Sequence, residues 1–208
     1  MKAERRAQLL LASALLVAIT LLALLANLEP PLIIADVRDP QVRLFQAESI
    51  IIEALANASA SASDGTALLR RLELYLNRCA PLLYRAHPGL SVRVLEAEVA
   101  VQNCGPFVLR GGYSVTYAAD GRILRYEVRL RPLRAEGTVL WLEYYHWSSL
   151  TPLERRPRSL RAEGALIIAV NETVFLVKPY FEKVVLVDDL GIRCIIEYKI
   201  RFKALPLS

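Results

Sequence analysis

Histidine, methionine and cysteine are scarce in this 208-residue chain, which contains two His, one Met and three Cys. Neither histidine stands at metal-ligand spacing from a cysteine or a carboxylate, so the sequence predicts no metal site. There is also no glycine-rich phosphate loop, no nucleophile elbow and no recognisable Cys/His pair. These absences argue against an enzyme, and we expect neither catalytic residues nor cofactors.

The few residues that could carry chemistry have structural interpretations. His87 precedes a proline at an expected helix end, which indicates a solvated cap. His146 stands between Tyr145 and Trp147, which is typical of an aromatic cluster. The acidic pair Asp188-Asp189 is interpreted as a hairpin turn rather than a cation site.

Lysine is also rare: five Lys stand against 21 Arg, and the net charge is +5. This balance permits contact with anionic lipid or polymers but says nothing about the fold. The arginine excess is interpreted as compositional, and no nucleic-acid partner is expected.

Charge is absent altogether from Ala7 to Leu28. At about 1.5 Å per residue this stretch spans roughly 33 Å as a helix, enough for a bilayer. We therefore predict an N-terminal signal and transmembrane helix over residues 1–28. Its membrane-anchoring residues are Leu9, Leu10, Leu11, Leu15, Leu16, Val17, Ile19, Leu21, Leu22, Leu24 and Leu25.

The charges beside this segment predict its direction. Lys2, Arg5 and Arg6 precede it, and the positive-inside rule places them in the cytoplasm. The rest of the chain would then lie outside the cell, attached to the membrane by a single pass. A cleaved secretory signal is the alternative, although the apolar run is longer than such signals need.

Prolines separate the anchor from the rest of the chain. Glu29-Pro30-Pro31 ends the helix and begins a proline-containing neck over residues 29–40. Residues 41–208 are expected to form one extracytoplasmic domain. Apolar spacing predicts helices from Gln41 to about Ala58 and from Thr66 to about Arg85.

Beyond Gly89 the apolar period changes to two, which predicts strands. Expected strands cover residues 91–102, 113–117, 122–130, 138–147, 165–177, 183–187 and 192–202. Asp120-Gly121 is a strong hairpin signal between two of them. In the strand after this turn, polar and apolar residues alternate, so one face is expected to lie in solvent; its polar residues are Arg125, Glu127, Arg129 and Arg131. The fold class expected is α+β, with an N-terminal transmembrane helix, one or two further helices and a largely antiparallel sheet as the head.

Three features of the expected head are candidate sites. Ser148 to Gly164 is predicted to be a long loop, and it offers an anion-binding cluster of Arg155, Arg156, Arg158 and Arg161. Cys79 and Cys104 could form a disulfide in an oxidising exterior, with buried free thiols as the alternative. Asn57 and Asn171 begin glycosylation sequons.

The N-terminus resembles the class III signal peptide of archaeal type IV pilin-like proteins. The matching residues are Arg5-Arg6-Ala7-Gln8-Leu9, a basic pair and a small residue followed by Gln and an apolar run. The resemblance implies that a prepilin peptidase cuts between Ala7 and Gln8 on the cytoplasmic side. It also implies a β-rich head and a place in an archaeal pilus.

These observations lead to a functional expectation. The chain is expected to be a membrane-anchored, pilin-like subunit or minor component of an archaeal surface filament or secretion apparatus. Its partners would be the lipid bilayer, further copies of this chain or other pilin-like subunits, the prepilin peptidase and the pilus assembly machinery. The alternative is a single-pass anchored binding or accessory domain that never polymerises, and an extracytoplasmic enzyme is a third.

Overall fold

The computed structural model describes residues 39–199, which form two helices and nine strands. The helices are α1 (Pro40–Ser59) and α2 (Gly65–Ala86). The strands are β1 (Val92–Cys104), β2 (Phe107–Ala119), β3 (Arg122–Glu136), β4 (Val139–Ser148), β5 (Leu160–Glu163), β6 (Ala165–Ala169), β7 (Val174–Pro179), β8 (Lys183–Asp188) and β9 (Arg193–Tyr198).

Helix α1 begins at Pro40, one residue before the start that apolar spacing predicted. The Asp39 carboxylate accepts a hydrogen bond from the Gln41 backbone N–H at 2.9 Å, and Pro40 occupies the first turn. Its apolar residues recur at helical spacing, and the most deeply buried are Leu44, Ala47, Ile51, Ala54 and Leu55. This face of α1 fills the centre of the core.

Helix α2 is amphipathic. Asp64 caps it by accepting from the Ala67 N–H at 2.9 Å, and this hydrogen bond lowers the pKa of the Asp64 carboxyl. Leu68, Leu72 and Leu76 repeat every four residues and are buried. The helix therefore packs by one stripe and leaves the opposite side in solvent.

The nine strands form one antiparallel sheet. Its order is β5-β8-β9-β2-β3-β4-β7-β6, and β1 also pairs with β2. Asp120 and Gly121 make the β2–β3 turn with φ of +47° and +75°, as a two-residue hairpin of the primed type requires. The hairpin predicted at these two residues is thus confirmed.

Strand β2 pairs with three other strands, β1, β3 and β9, and the change from β9 to β3 occurs at a glycine. Residues 107–110 pair with β9, whereas residues 113–119 pair with β3. At Gly111, φ is +145°, and an added Cβ would lie 2.5 Å from the Cβ of Cys194. Only glycine allows β9 to approach β2 this closely.

The first and last strands of this order are joined end to end. β5 and β6 stand at opposite ends of the strand order, yet they are consecutive in sequence and joined by Gly164 alone. The sheet therefore curls until it is nearly closed. Inside it, the inner face of the strands and the buried stripe of α1 share one hydrophobic core.

The predicted fold class is wrong. About half of the described residues belong to strands of one antiparallel sheet, and only two helices accompany it, so the described fold is mainly β rather than an α+β head behind a transmembrane helix. Neither described helix combines the length and the apolar character that a bilayer-spanning segment needs. The anchor predicted over residues 1–28, like most of the neck, lies outside the described residues. The β-rich character of the domain is confirmed.

The class was mistaken because several strands run past the point where apolar alternation stops. β1 and β3 continue through bulges at Ala100/Val101 and Pro132/Arg134, where the register shifts but pairing persists. The expected loop from Ser148 to Gly164 likewise contains β5, and the single strand expected over residues 165–177 is divided into β6 and β7.

Candidate functional site

A groove on the outer face of the sheet is the best-formed candidate site among residues 39–199. It lies over β2, between β1 and β3, and its volume is ≈ 760 Å³. Its floor is formed by small residues: Ala100 of β1 lies opposite Gly112 of β2, and Ser114 is two residues further along β2. Its walls carry longer polar side chains, above all Glu98, Gln102, Arg125, Glu127, Arg129 and Arg131.

The β3 wall is an ordered row of charges. The carboxylate of Glu127 lies between two guanidinium groups, with Arg125 Nε 2.7 Å from one oxygen and Arg129 Nε 2.6 Å from the other. Arg125 Nε also donates to Ser114 Oγ at 2.9 Å. Two arginines that line the groove are thus held in place, so their side chains have little freedom to lose on binding.

Aromatic side chains of β4 support Arg129 from the side. Its Nη1 donates to Tyr145 Oη at 3.1 Å, and its guanidinium lies 5.6 Å from the Tyr145 ring centre and 5.8 Å from that of Trp147. The hydrogen bonds to Tyr145 and Glu127 raise the pKa of Arg129, which therefore stays charged. This arrangement suits the binding of polar ligands that carry carboxylate groups.

A second cluster is buried beneath β4. Tyr126 Oη lies 2.5 Å from His146 Nδ1, and His146 Nε2 lies 3.0 Å from Asp188 Oδ2 with its N–H poorly aligned toward that oxygen. Tyr144 Oη donates to the same oxygen at 2.7 Å. Burial raises the pKa of both tyrosines.

This buried cluster has no access for a substrate. Tyr126, Tyr144 and His146 are each 2 % exposed or less. The assignment of His146 to an aromatic cluster is confirmed, since its ring packs against both tyrosines. Asp188 ends β8, and the predicted turn begins at Asp189. Asp188 Oδ1 accepts from the backbone of Leu190 and Ile192 and so closes this turn, but the inward contacts of Asp188 were not foreseen.

The four arginines of the expected anion-binding loop do not form a common pocket. Arg155 pairs through its backbone with His146, and Arg156 forms an ion pair with Glu172. The backbone N–H of Arg158 donates to Asp189, and Arg161 lies in β5 instead of a loop. All four are exposed, but they point to different neighbours.

The bridge predicted between Cys79 and Cys104 is not formed: all three cysteines are free. Gly65, at the start of α2, lies against Ala97, and α2 runs from there toward the beginning of β1. Cys79 is therefore about 20 Å from Gly65 in one direction, whereas Cys104 lies about 23 Å from Ala97 in the other. A disulfide needs Cα atoms within about 7 Å.

Both predicted glycosylation residues are exposed. Asn57 lies on the outer side of α1, and Asn171 lies in the β6–β7 turn, where its Oδ1 accepts from Thr173 and Val174. The predicted cleavage site at Ala7 and Gln8 lies outside the described residues, as do the anchor residues. Within residues 39–199, no group of three His, Cys, Asp or Glu side chains is placed to hold a metal ion.

The exposed side of β3 is the part of the groove that the sequence predicted. The alternation of Arg125, Glu127, Arg129 and Arg131 predicted a solvent-facing side of β3, and these residues do lie on the outer face. The opposite wall and the floor were missed, because they depend on strand register. Comparison of the chain with known protein families, curated proteins and solved structures finds no match.

Proposed function

We propose that the chain is a membrane-anchored, pilin-like subunit or minor component of an archaeal surface filament or secretion apparatus. The observation that carries this proposal is the N-terminal order of a basic pair, Ala7, Gln8 and an uncharged run to Leu28. Such an order suits a peptidase that removes the charges, so that the apolar segment can leave the lipid for a filament core.

The described domain is compatible with this role. Its first helix begins at Pro40, 12 residues beyond Leu28 in the sequence. It is β-rich, and the buried Tyr126–His146–Asp188 cluster offers no accessible catalytic chemistry. A structural or binding role therefore fits this domain better than catalysis.

Intact mass of the protein from native membranes tests the proposal. A pilin-like precursor should be cut before Gln8, leaving 201 of the 208 residues. Ala7→Asp should prevent the cut, because the small residue before the scissile bond is replaced by a charged one. A mature protein that retains Lys2 would contradict the proposal.

The groove favours a second candidate function, that of an anchored binding domain that does not polymerise. Its fixed arginines fit a ligand with carboxylate groups. Titration of the full chain in detergent with hexaglutamate tests this function. Arg129→Ala should weaken binding at least about tenfold, whereas Arg122→Ala, on the same strand but outside the groove, should not.

A further inference from the structure

Strand β6 is an edge of the sheet with unpaired backbone groups. It pairs only with β7 among the described strands. Gly164 O accepts from Tyr180 N, and Val170 N donates to Val174 O, so the even-numbered residues make the ladder to β7. Ala165, Ile167 and Ala169 therefore direct their N–H and C=O groups away from the sheet.

The side chains on this edge are apolar. Leu166, Ile168 and Val170 lie on one face and are 43 %, 48 % and 49 % exposed. Nearby, Phe181 contacts the site of Gly164 and is 67 % exposed. The stretch Ala165 to Asn171 contains no charged residue at all. Edges with this character are templates for pairing with another strand.

The other ends of the sheet are protected in the usual way. β5 carries exposed Arg161 and Glu163, and β1 carries exposed Arg93, Glu96 and Glu98. Charges of this kind discourage edge-to-edge pairing. Since protection is missing from β6 alone among these three strands, its bare edge is better explained by a partner than by chance exposure.

We propose that β6 pairs antiparallel with β6 of a second copy of this chain, about a two-fold axis at Ile167. In this register Ala165 faces Ala169, and Leu166 faces Ile168. Every outward N–H of one copy meets a C=O of the other, and apolar side chains meet apolar side chains. An uncharged strand suits a second copy of itself better than a charged partner strand.

This dimer contact does not depend on the proposed pilin-like function. It would join two domains side by side, whether they stand in a filament or in a plain membrane. In a filament it would add a contact between heads to the contacts between apolar segments.

The test uses the full chain in detergent, with its mass measured by light scattering and its affinity by analytical ultracentrifugation. Ala169→Pro removes an N–H that points outward, so the β6–β7 ladder is kept while the dimer loses a donor at each end. Ile168→Lys places like charges across the axis. Each change should weaken dimerisation about tenfold or more.

Val101→Lys is the matched control, because Val101 is 52 % exposed on β1, away from this edge. It should leave the dimer intact. Thermal unfolding of each variant verifies that the domain still folds, and the two β6 variants act by different means, so one is informative if the other misfolds.

Both β6 variants are also made in an Ala14→Leu, Ala18→Leu background, which is expected to weaken contacts between apolar segments. A dimer that survives in this background and is lost with either β6 change supports the proposal. A monomer in this background, a dimer insensitive to both changes, or polydisperse aggregates would overturn it. Cleavage before Gln8 is scored separately, so failure of the pilin-like function and failure of this contact are distinguished.

Discussion

His146 Nε2 lies 3.0 Å from Asp188 Oδ2, and both side chains are almost completely buried. Burial alone would raise the pKa of Asp188, but His146, Tyr144 and the backbone of Ile192 lower it overall. The carboxylate therefore stays charged in the core. Through these contacts the Asp188 carboxylate links the β8–β9 turn to the middle of β4.

Asp188→Asn should reduce stability in a pH-dependent way. Because the pKa of Asp188 is lower in the folded chain than in the unfolded chain, its ionised form stabilises the fold above about pH 4. That contribution is lost as the pH falls toward the folded pKa. At pH 7 the variant should lose about 1–3 kcal/mol of unfolding free energy, and below pH 3 the difference should shrink.

Denaturant unfolding of the full chain in detergent at both pH values measures this effect. Asp189→Asn is the control, since Asp189 is exposed in the same turn. An equal loss at both pH values would show that the ionisation of Asp188 does not stabilise the fold.

Gly111→Ala should be strongly destabilising. The added methyl group would overlap Cys194, and the φ of +145° is unfavourable for alanine. We expect a loss of about 3 kcal/mol or more in the unfolding free energy. Gly121→Ala is the matched control: its φ is +75°, but nothing lies within 4 Å, so only about 1 kcal/mol is expected. Similar losses in both variants would contradict the close approach of β9.

Arg43→Ala should weaken the attachment of α1 to the sheet. Its Nη2 donates to Asp120 Oδ1 at 2.9 Å and also to the carbonyl of Gly89. The pair is partly exposed, so a loss of about 1 kcal/mol is expected. Thermal or denaturant unfolding measures it, with Arg122→Ala as an exposed control in the same hairpin. No difference between these two variants would mean that the Arg43 contact contributes nothing.

The three cysteines should react differently with a maleimide in the native chain. Cys79 and Cys104 are half-buried and should be labelled, whereas Cys194 is fully buried and its thiol pKa is raised by that burial. Unfolding should expose all three. Peptide mapping under non-reducing conditions that finds Cys79 joined to Cys104 would contradict the described packing of α2 against β1.

The parts of the fold that the sequence predicted are those with local signals. Both helices have a nearby aspartate cap and an apolar stripe, and Asp120-Gly121 is sufficient for its turn. β5 was missed because four residues are too few to show alternation. The first half of β2 was missed because Gly111 and Gly112 resemble a turn, although they lie within the strand.

The candidate site could be predicted only in part, because it is assembled from distant segments. Glu127 and its neighbours alternate along one strand, so their exposure follows from spacing alone. The groove also needs Gly112 and Ala100 to meet across a strand pair, which depends on a bulge between Ala100 and Val101. The contact between His146 and Asp188 joins residues 42 apart, and no local pattern reports it.

The pairing of β2 with β9 affects how this chain is made. Ile192, Cys194 and Ile196 fill part of the core around α1, yet they are synthesised about 150 residues after that helix begins. Until they arrive, part of the apolar stripe of α1 and the β9 side of β2 have no cover. A nascent chain is thus exposed to aggregation and proteolysis for most of its synthesis. We therefore expect its folding in the cell to depend on a chaperone or on rapid synthesis.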